Sequence, residues 1–184
     1  MSVAKEFEAA NVPYAASFTK GDLQLSPQRG DSMHGCPSRY LTSLPPLPSN
    51  AIAEPPNITA DPAQALGLKE GDAHVIRNAG GRASDALRSV IISQQLLGTR
   101  EIVLVHHTDC GMLTFTDTAI RGKIREELGS NGDHIAFLPF DDLRQSVLDD
   151  VKVLRDSPLV LDVPITGYLY EVETGRIVRI GDDS

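Results

Sequence analysis

Tryptophan is absent, aromatic residues make up only 5% of the chain, and the cysteines number two, Cys36 and Cys110. So few rings offer no platform on which successive bases could stack. Two cysteines cannot build a disulfide framework, and thiols this scarce suit a reducing compartment in which a thiolate can hold a metal. Positive charge is also in deficit: 17 Lys and Arg face 25 Asp and Glu, for a net charge of -8. A surface of that sign repels phosphate backbones, which excludes nucleic acid as a partner. No apolar run approaches the roughly 18 to 20 residues of a membrane span. No apolar signal segment follows Met1, and Met1 to Phe18 carries Glu6 and Glu8 beside a single Lys5, unlike an Arg-rich, acid-poor transit peptide. The expected location is the cytosol, without a membrane partner.

What is present fits one globular domain over residues 1–184, since domains of about 100 to 200 residues are the commonest size. Val3, Phe7 and Ala10 fall at helical spacing, which predicts a short amphipathic helix over residues 2–10 whose apolar face needs a partner surface. From Ser26 to Ala60 the chain is dense in Pro and Ser, with neither a two-residue nor a 3.6-residue apolar period, and reads as an irregular segment.

Regular patterning returns at Asp61. DPAQALGLKEGDAHVIRNAGG predicts a short helix interrupted by Gly67 and Gly71, then a strand from Ala73 to Arg77 closed by Gly80 and Gly81. Ser84 is a candidate N-cap for a helix with Leu87, Val90 and Ile91 on one face and Gly98 as its stop. EIVLV, Glu101 to Val105, is apolar on both faces, as a strand covered by helices on both sides requires. Two further helices follow, one through Ile120, Ile124 and Leu128, the other through Leu143, Val147, Val151 and Leu154. ITGYLYEVETGRIVRI predicts a hairpin turning near Thr174 and Gly175. The fold class is therefore α/β, a mainly parallel β-sheet flanked by helices, with an antiparallel edge from the hairpin.

Two motifs could carry chemistry. HHTDCGM, His106 to Met112, begins at the carboxyl end of the EIVLV strand, where open α/β sheets place ligands. His107 and Cys110 stand at i and i+3 around a tight turn, a spacing that lets an imidazole and a thiolate face one zinc ion. The same two residues also fit a hydrogen-bonded loop histidine and a small buried thiol. Alternation turns His106 away from His107, toward a packing or capping role. GDAHVIRNAGGR, Gly71 to Arg82, ends in a Gly-rich turn that could cradle an anion on backbone N–H groups or form a tight structural turn; it lacks the G-x-G-x-x-G of dinucleotide sites.

GDAHVIRNAGG, the helix after it and HHTDCGM together resemble the β-carbonic anhydrase family, in particular its compact microbial and fungal members. The resemblance runs from about Asp61 to Ile180 and includes the closing GYLYEVETGRIVRI. It implies a β-carbonic anhydrase-like fold and a zinc enzyme interconverting carbon dioxide and bicarbonate as a homodimer or higher homo-oligomer. It implies a Cys, His, Cys zinc shell, with His107 and Cys110 as the second and third ligands and a fourth position for water or an acidic side chain.

The sequence departs from the family's C-x-D-x-R pattern, which the resemblance places over Pro55, Asn57 and Thr59. One thiolate and the Asp and Arg of the catalytic turn are thereby lost, and no catalytic residue is assigned. The composition change over Gly30 to Ala60 reads as a replacement of the family's first strand and catalytic turn, so a gap is expected in the middle of the sheet. Cys36, in HGCPSRY with Arg39 nearby, is a candidate for the missing thiolate, although C-P-S-R is one residue short and has no Asp; His34 is a weaker substitute. Three readings follow: a carbon dioxide hydratase, a catalytically silent homologue that binds partners through its dimer surface, and a carbon disulfide or carbonyl sulfide hydrolase on the same scaffold.

Overall fold

The computed structural model describes residues 3–19, 49–53, 62–69 and 71–181, with the backbone alone for 49–53 and 62–63. In chain order the elements are α1 (Val3–Ala16), β1 (Ser49–Ala53), α2 (Pro62–Ala65), β2 (Ala73–Ile76), α3 (Ala83–Leu97), β3 (Ile102–His107), α4 (Asp117–Leu128), α5 (Leu143–Asp156), β4 (Ile165–Tyr170) and β5 (Ile177–Ile180). The strands form one sheet in the order β2-β1-β3-β4-β5. β1 pairs in parallel with β2 and β3, β3 in parallel with β4, and β5 closes the sheet antiparallel to β4. The mainly parallel α/β architecture and its C-terminal hairpin are as the patterning predicts.

The sheet has no gap, which corrects one expectation. SNAIA, within the stretch read as irregular, is the strand β1, and its Ala51 stands opposite both Val75 of β2 and Val103 of β3. The reason is tertiary. Pro48 and Pro55 bracket the five residues but none lies among them, so every N–H in the segment can donate. Between two strands that need a central partner, a short segment with only Ala51, Ile52 and Ala53 apolar pairs without any strong periodicity of its own.

Helices cover both faces of the sheet. On one face Ala83, Ala86 and Val90 of α3 and Val147, Val151 and Leu154 of α5 pack on Ile102 and Leu104. On the other, Ala4 and Phe7 of α1 with Ala65 and Leu66 meet Val103, Val105, Tyr168 and Tyr170. β3 is buried at all six positions, and each of its large aliphatic side chains contributes roughly 1.5–3 kcal/mol by leaving water. The amphipathic N-terminal helix thus finds the sheet as its partner and runs to Ala16, further than predicted. The Glu101 carboxylate, directly ahead of β3, accepts from the N–H groups of Val3 and Ala4 at its first turn.

Two helix details differ from the sequence reading. α3 begins at Ala83 with Arg82 as its N-cap, because Gly81 at φ 66° turns the chain into the helix before Ser84 is reached; Arg82 O already accepts from Ala86 N. α4 carries the predicted Ile120, Ile124 and Leu128, yet none of its residues is buried and Leu128 is 71% exposed. Among the described residues no helix is long and apolar enough to cross a membrane.

Candidate metal centre

β3 is the middle strand, and its carboxyl end delivers His106 and His107. His107 stands opposite Tyr170 of β4, and two residues earlier Val105 stands opposite Ala53, the last residue of β1. The chain then turns sharply. Thr108 N donates to Tyr170 O, and Val172 N donates to Thr108 Oγ1, which ties the start of the turn to the strand beside it. Asp109 adopts φ 55°, left-handed for a residue with a side chain, and Cys110 leads into a short 3-10 turn, Gly111–Leu113.

His107 and Cys110 each retain 2% of their exposure. His107 Nδ1 lies 2.6 Å from Thr108 O, and a carbonyl oxygen only accepts, so Nδ1 carries the proton. Nε2 is then the lone-pair nitrogen, and it is buried without a hydrogen-bond partner among the described residues. Burial pulls the His107 pKa down to about 4, with the neighbouring His106 adding to the effect and the Thr108 carbonyl opposing it, so the ring is neutral at pH 7. A neutral imidazole with one nitrogen fixed by a backbone carbonyl and the other unclaimed is the state in which histidine binds metal. With the buried Cys110 thiol beside it in sequence, the donor set is the nitrogen and sulfur pair that zinc accepts. Among the described residues no group of three or more His, Cys, Asp and Glu side chains that could hold a metal is present. Cys36, His34 and Arg39, like Pro55, Asn57 and Thr59, lie outside the described residues.

His106 turns to the other face of the sheet, as strand alternation requires. Its Nδ1 is 2.8 Å from Ser146 Oγ and its Nε2 is 3.3 Å from Asp150 Oδ2, both on α5. The same Oδ2 is 3.2 Å from Arg82 Nε, and Asp150 is fully buried. Phe140 stacks on the His106 ring at 5.6 Å between centroids, and the Arg82 guanidinium lies 5.4 Å from the centre of the same phenyl ring. Sequence reasoning missed Asp150, although a signal was there. Asp150 is three residues past Val147 and four before Leu154, on the buried stripe of α5, where a carboxylate requires a partner.

The glycines of the Gly71 to Arg82 motif serve packing. A Cβ on Gly80 would come within 2.8 Å of Met112 Cγ, and one on Gly81 within 2.9 Å of both His106 Cδ2 and Val105 O. The turn therefore lies flat on the end of β3, the tight structural alternative of the two sequence readings.

A mainly parallel sheet covered on both faces, with a buried His-x-x-Cys at the carboxyl end of its middle strand, defines an α/β protein whose candidate site lies where such sheets bind ligands. No protein-family model matches the sequence. Individual relatives do. The chain is 36% identical to β-carbonic anhydrase 1 of Mycobacterium tuberculosis over 184 residues, 98% of this chain and 99% of that protein. The solved carbonic anhydrase from Glaciozyma antarctica superimposes with a TM-score of 0.69 at 41% identity, covering 98% of this chain and all of that one. A carbon disulfide hydrolase of an Acidianus species is 40% identical over 139 residues, 62% of this chain and 68% of that protein. The chain belongs to the β-carbonic anhydrase family.

Proposed function

We propose that this protein is a zinc-dependent carbonic anhydrase that reversibly hydrates carbon dioxide to bicarbonate, with His107 Nε2 and Cys110 Sγ as two of the zinc donors. The observation that carries this reading is the buried Nε2 of a histidine held neutral, which has no hydrogen-bond partner among the described residues. An unclaimed lone pair in the interior is costly unless something fills it, and a metal ion does so. When bound, zinc supplies Lewis acidity that brings the pKa of water down to about 7.

The chain's own residues supply the positioning. Thr108 O fixes the His107 tautomer, and Thr108 is itself fixed by Tyr170 and Val172. A catalytic zinc site uses three protein donors, and Cys36, the remaining cysteine, is our candidate for the third. With Asn57 and Thr59 where the resemblance places Asp and Arg, turnover is expected to be slower than in relatives that keep the pair. Assembly into dimers or larger homo-oligomers belongs to the same proposal; exposed Leu96 and Leu97 on α3 and Leu128 on α4 support it.

Stopped-flow hydration of carbon dioxide by zinc-loaded protein, beside His107→Ala and Cys36→Ser variants, tests the proposal. Hydration above background that vanishes in His107→Ala supports it, and loss in Cys36→Ser as well assigns the third donor. A folded, zinc-loaded protein without activity makes the chain a silent member of its family. The identity to the Acidianus enzyme favours carbon disulfide as a second substrate, which release of hydrogen sulfide under the same conditions decides.

A further inference from the structure

The buried carboxylate of Asp150 touches neither His107 nor Cys110, yet two short routes lead from it to both. Through His106, 3.3 Å away, it reaches the strand residue next to His107. Through Arg82, 3.2 Å away, it reaches Phe140, whose ring faces the guanidinium and whose backbone N–H donates to Met112 O in the turn that begins at Cys110. Phe140 also stacks on His106, so the two routes close into a ring. Gly80, two residues before Arg82, lies against both Met112 and Phe140, which fixes this ring to the head of α3.

The nature of the contacts matters. Neither Oδ atom of Asp150 completes a well-aligned hydrogen bond among the described residues, so the carboxylate is held chiefly by charge. Asp150 is at zero exposure and Arg82 at 13%, so that attraction is weakly screened, and removing the guanidinium leaves a carboxylate in the interior without its cation. For stability alone, such a pair is often no better than apolar residues of the same volume. Its place in this fold gives it another use.

We propose that Asp150, with Arg82, is a positioning pair for the metal centre, holding His106 and Phe140 so that the end of β3 and the Cys110 turn present His107 and Cys110 to one ion. The pair acts through other residues and does not touch the ion. This inference rests on the reading of His107 and Cys110 as zinc ligands. Residues that orient metal ligands at one remove typically change metal affinity by about 10- to 100-fold, and an effect of about 10-fold is expected here because the contact is one residue further out.

The test measures zinc affinity by chelator competition and the thiolate-to-metal absorption of the cobalt-substituted full chain, together with thermal unfolding of the metal-free protein. The variants are Asp150→Asn, Arg82→Met and the paired Asp150→Leu with Arg82→Met. The paired variant removes both charges at similar volume, so it stays folded even where a single change does not. It is expected to unfold at or above the native temperature while binding zinc about 10-fold more weakly, with an altered cobalt spectrum. The single changes, acting on one unit, are expected to be non-additive in metal affinity. Variants with native zinc affinity and cobalt spectrum, whatever their melting temperatures, overturn the positioning role alone. A native chain that binds neither ion overturns the metal reading, and the positioning role with it.

Discussion

Gly81 packs directly on the ring of His106: a Cβ in its place would stand 2.9 Å from Cδ2 and equally close to the carbonyl oxygen of Val105. The neighbour on one side is backbone of the middle strand, so it cannot swing away. Gly81 also sits at φ 66°, where an L side chain is strained. Gly81→Ala is therefore expected to destabilise the protein by about 2–4 kcal/mol, adding the cost of left-handed backbone to that of overpacking. Urea unfolding measures this directly. A loss below about 0.5 kcal/mol would show that the turn does not lie on the strand as described.

Asp109 gives a contrasting case. It too is left-handed, at φ 55°, in the turn between His107 and Cys110, but Asp and Asn tolerate this conformation better than other residues with side chains. Asp109→Gly is expected to leave folding stability within about 0.5 kcal/mol, and Asp109→Val to lower it by about 1–2 kcal/mol while weakening zinc binding. Equal stability of the two variants would show that the turn does not need a left-handed residue.

Most of the fold was legible in the sequence because its strongest elements are locally consistent. EIVLV is a two-sided apolar strand and lies buried between helices on both faces, and the stripe Val147, Val151 and Leu154 faces the core. The place of His107 was legible because it ends the EIVLV strand, and both it and Cys110 are buried there. β1 was not, since its pairing partners, and not its own residues, make SNAIA a strand. α4 shows the converse: periodicity names a face of Ile120, Ile124 and Leu128 but not what, if anything, covers it. The Asp150 contacts were hidden because they join β3, α5 and the head of α3, which only the folded chain brings together.

Glu101 anchors α1 from a distance of almost 100 residues in sequence. Its carboxylate accepts from Val3 N at 3.2 Å and Ala4 N at 3.1 Å, satisfying two first-turn N–H groups that no carbonyl of the helix can reach. Glu101→Ala leaves two N–H groups without their acceptor and is expected to cost about 1–2 kcal/mol. The loss should be local. Hydrogen exchange at residues 4–16 should quicken while β3 and α5 keep their protection. Unchanged exchange in α1 would show that its packing on Tyr168 and Tyr170 suffices.

His107 sets the behaviour of the metal-free protein in acid. Its folded pKa, about 4, lies below the ordinary 6.5 because burial disfavours the charged ring. Between those values the unfolded chain binds a proton that the folded one does not, so folding stability falls as pH drops from about 6.5 toward 4 and is flat above 6.5. The contribution lost is at most about 3 kcal/mol, since the folded state can relax to admit water. Denaturant unfolding of metal-free protein at pH 7.5, 5.5 and 4.5, compared with His107→Gln, isolates this term from the carboxylates that titrate in the same range. The native protein should lose more stability than the variant across that interval. Parallel pH curves for the two would mean that His107 is not held neutral by burial, and the state that suits it to a metal would have to come from the metal itself.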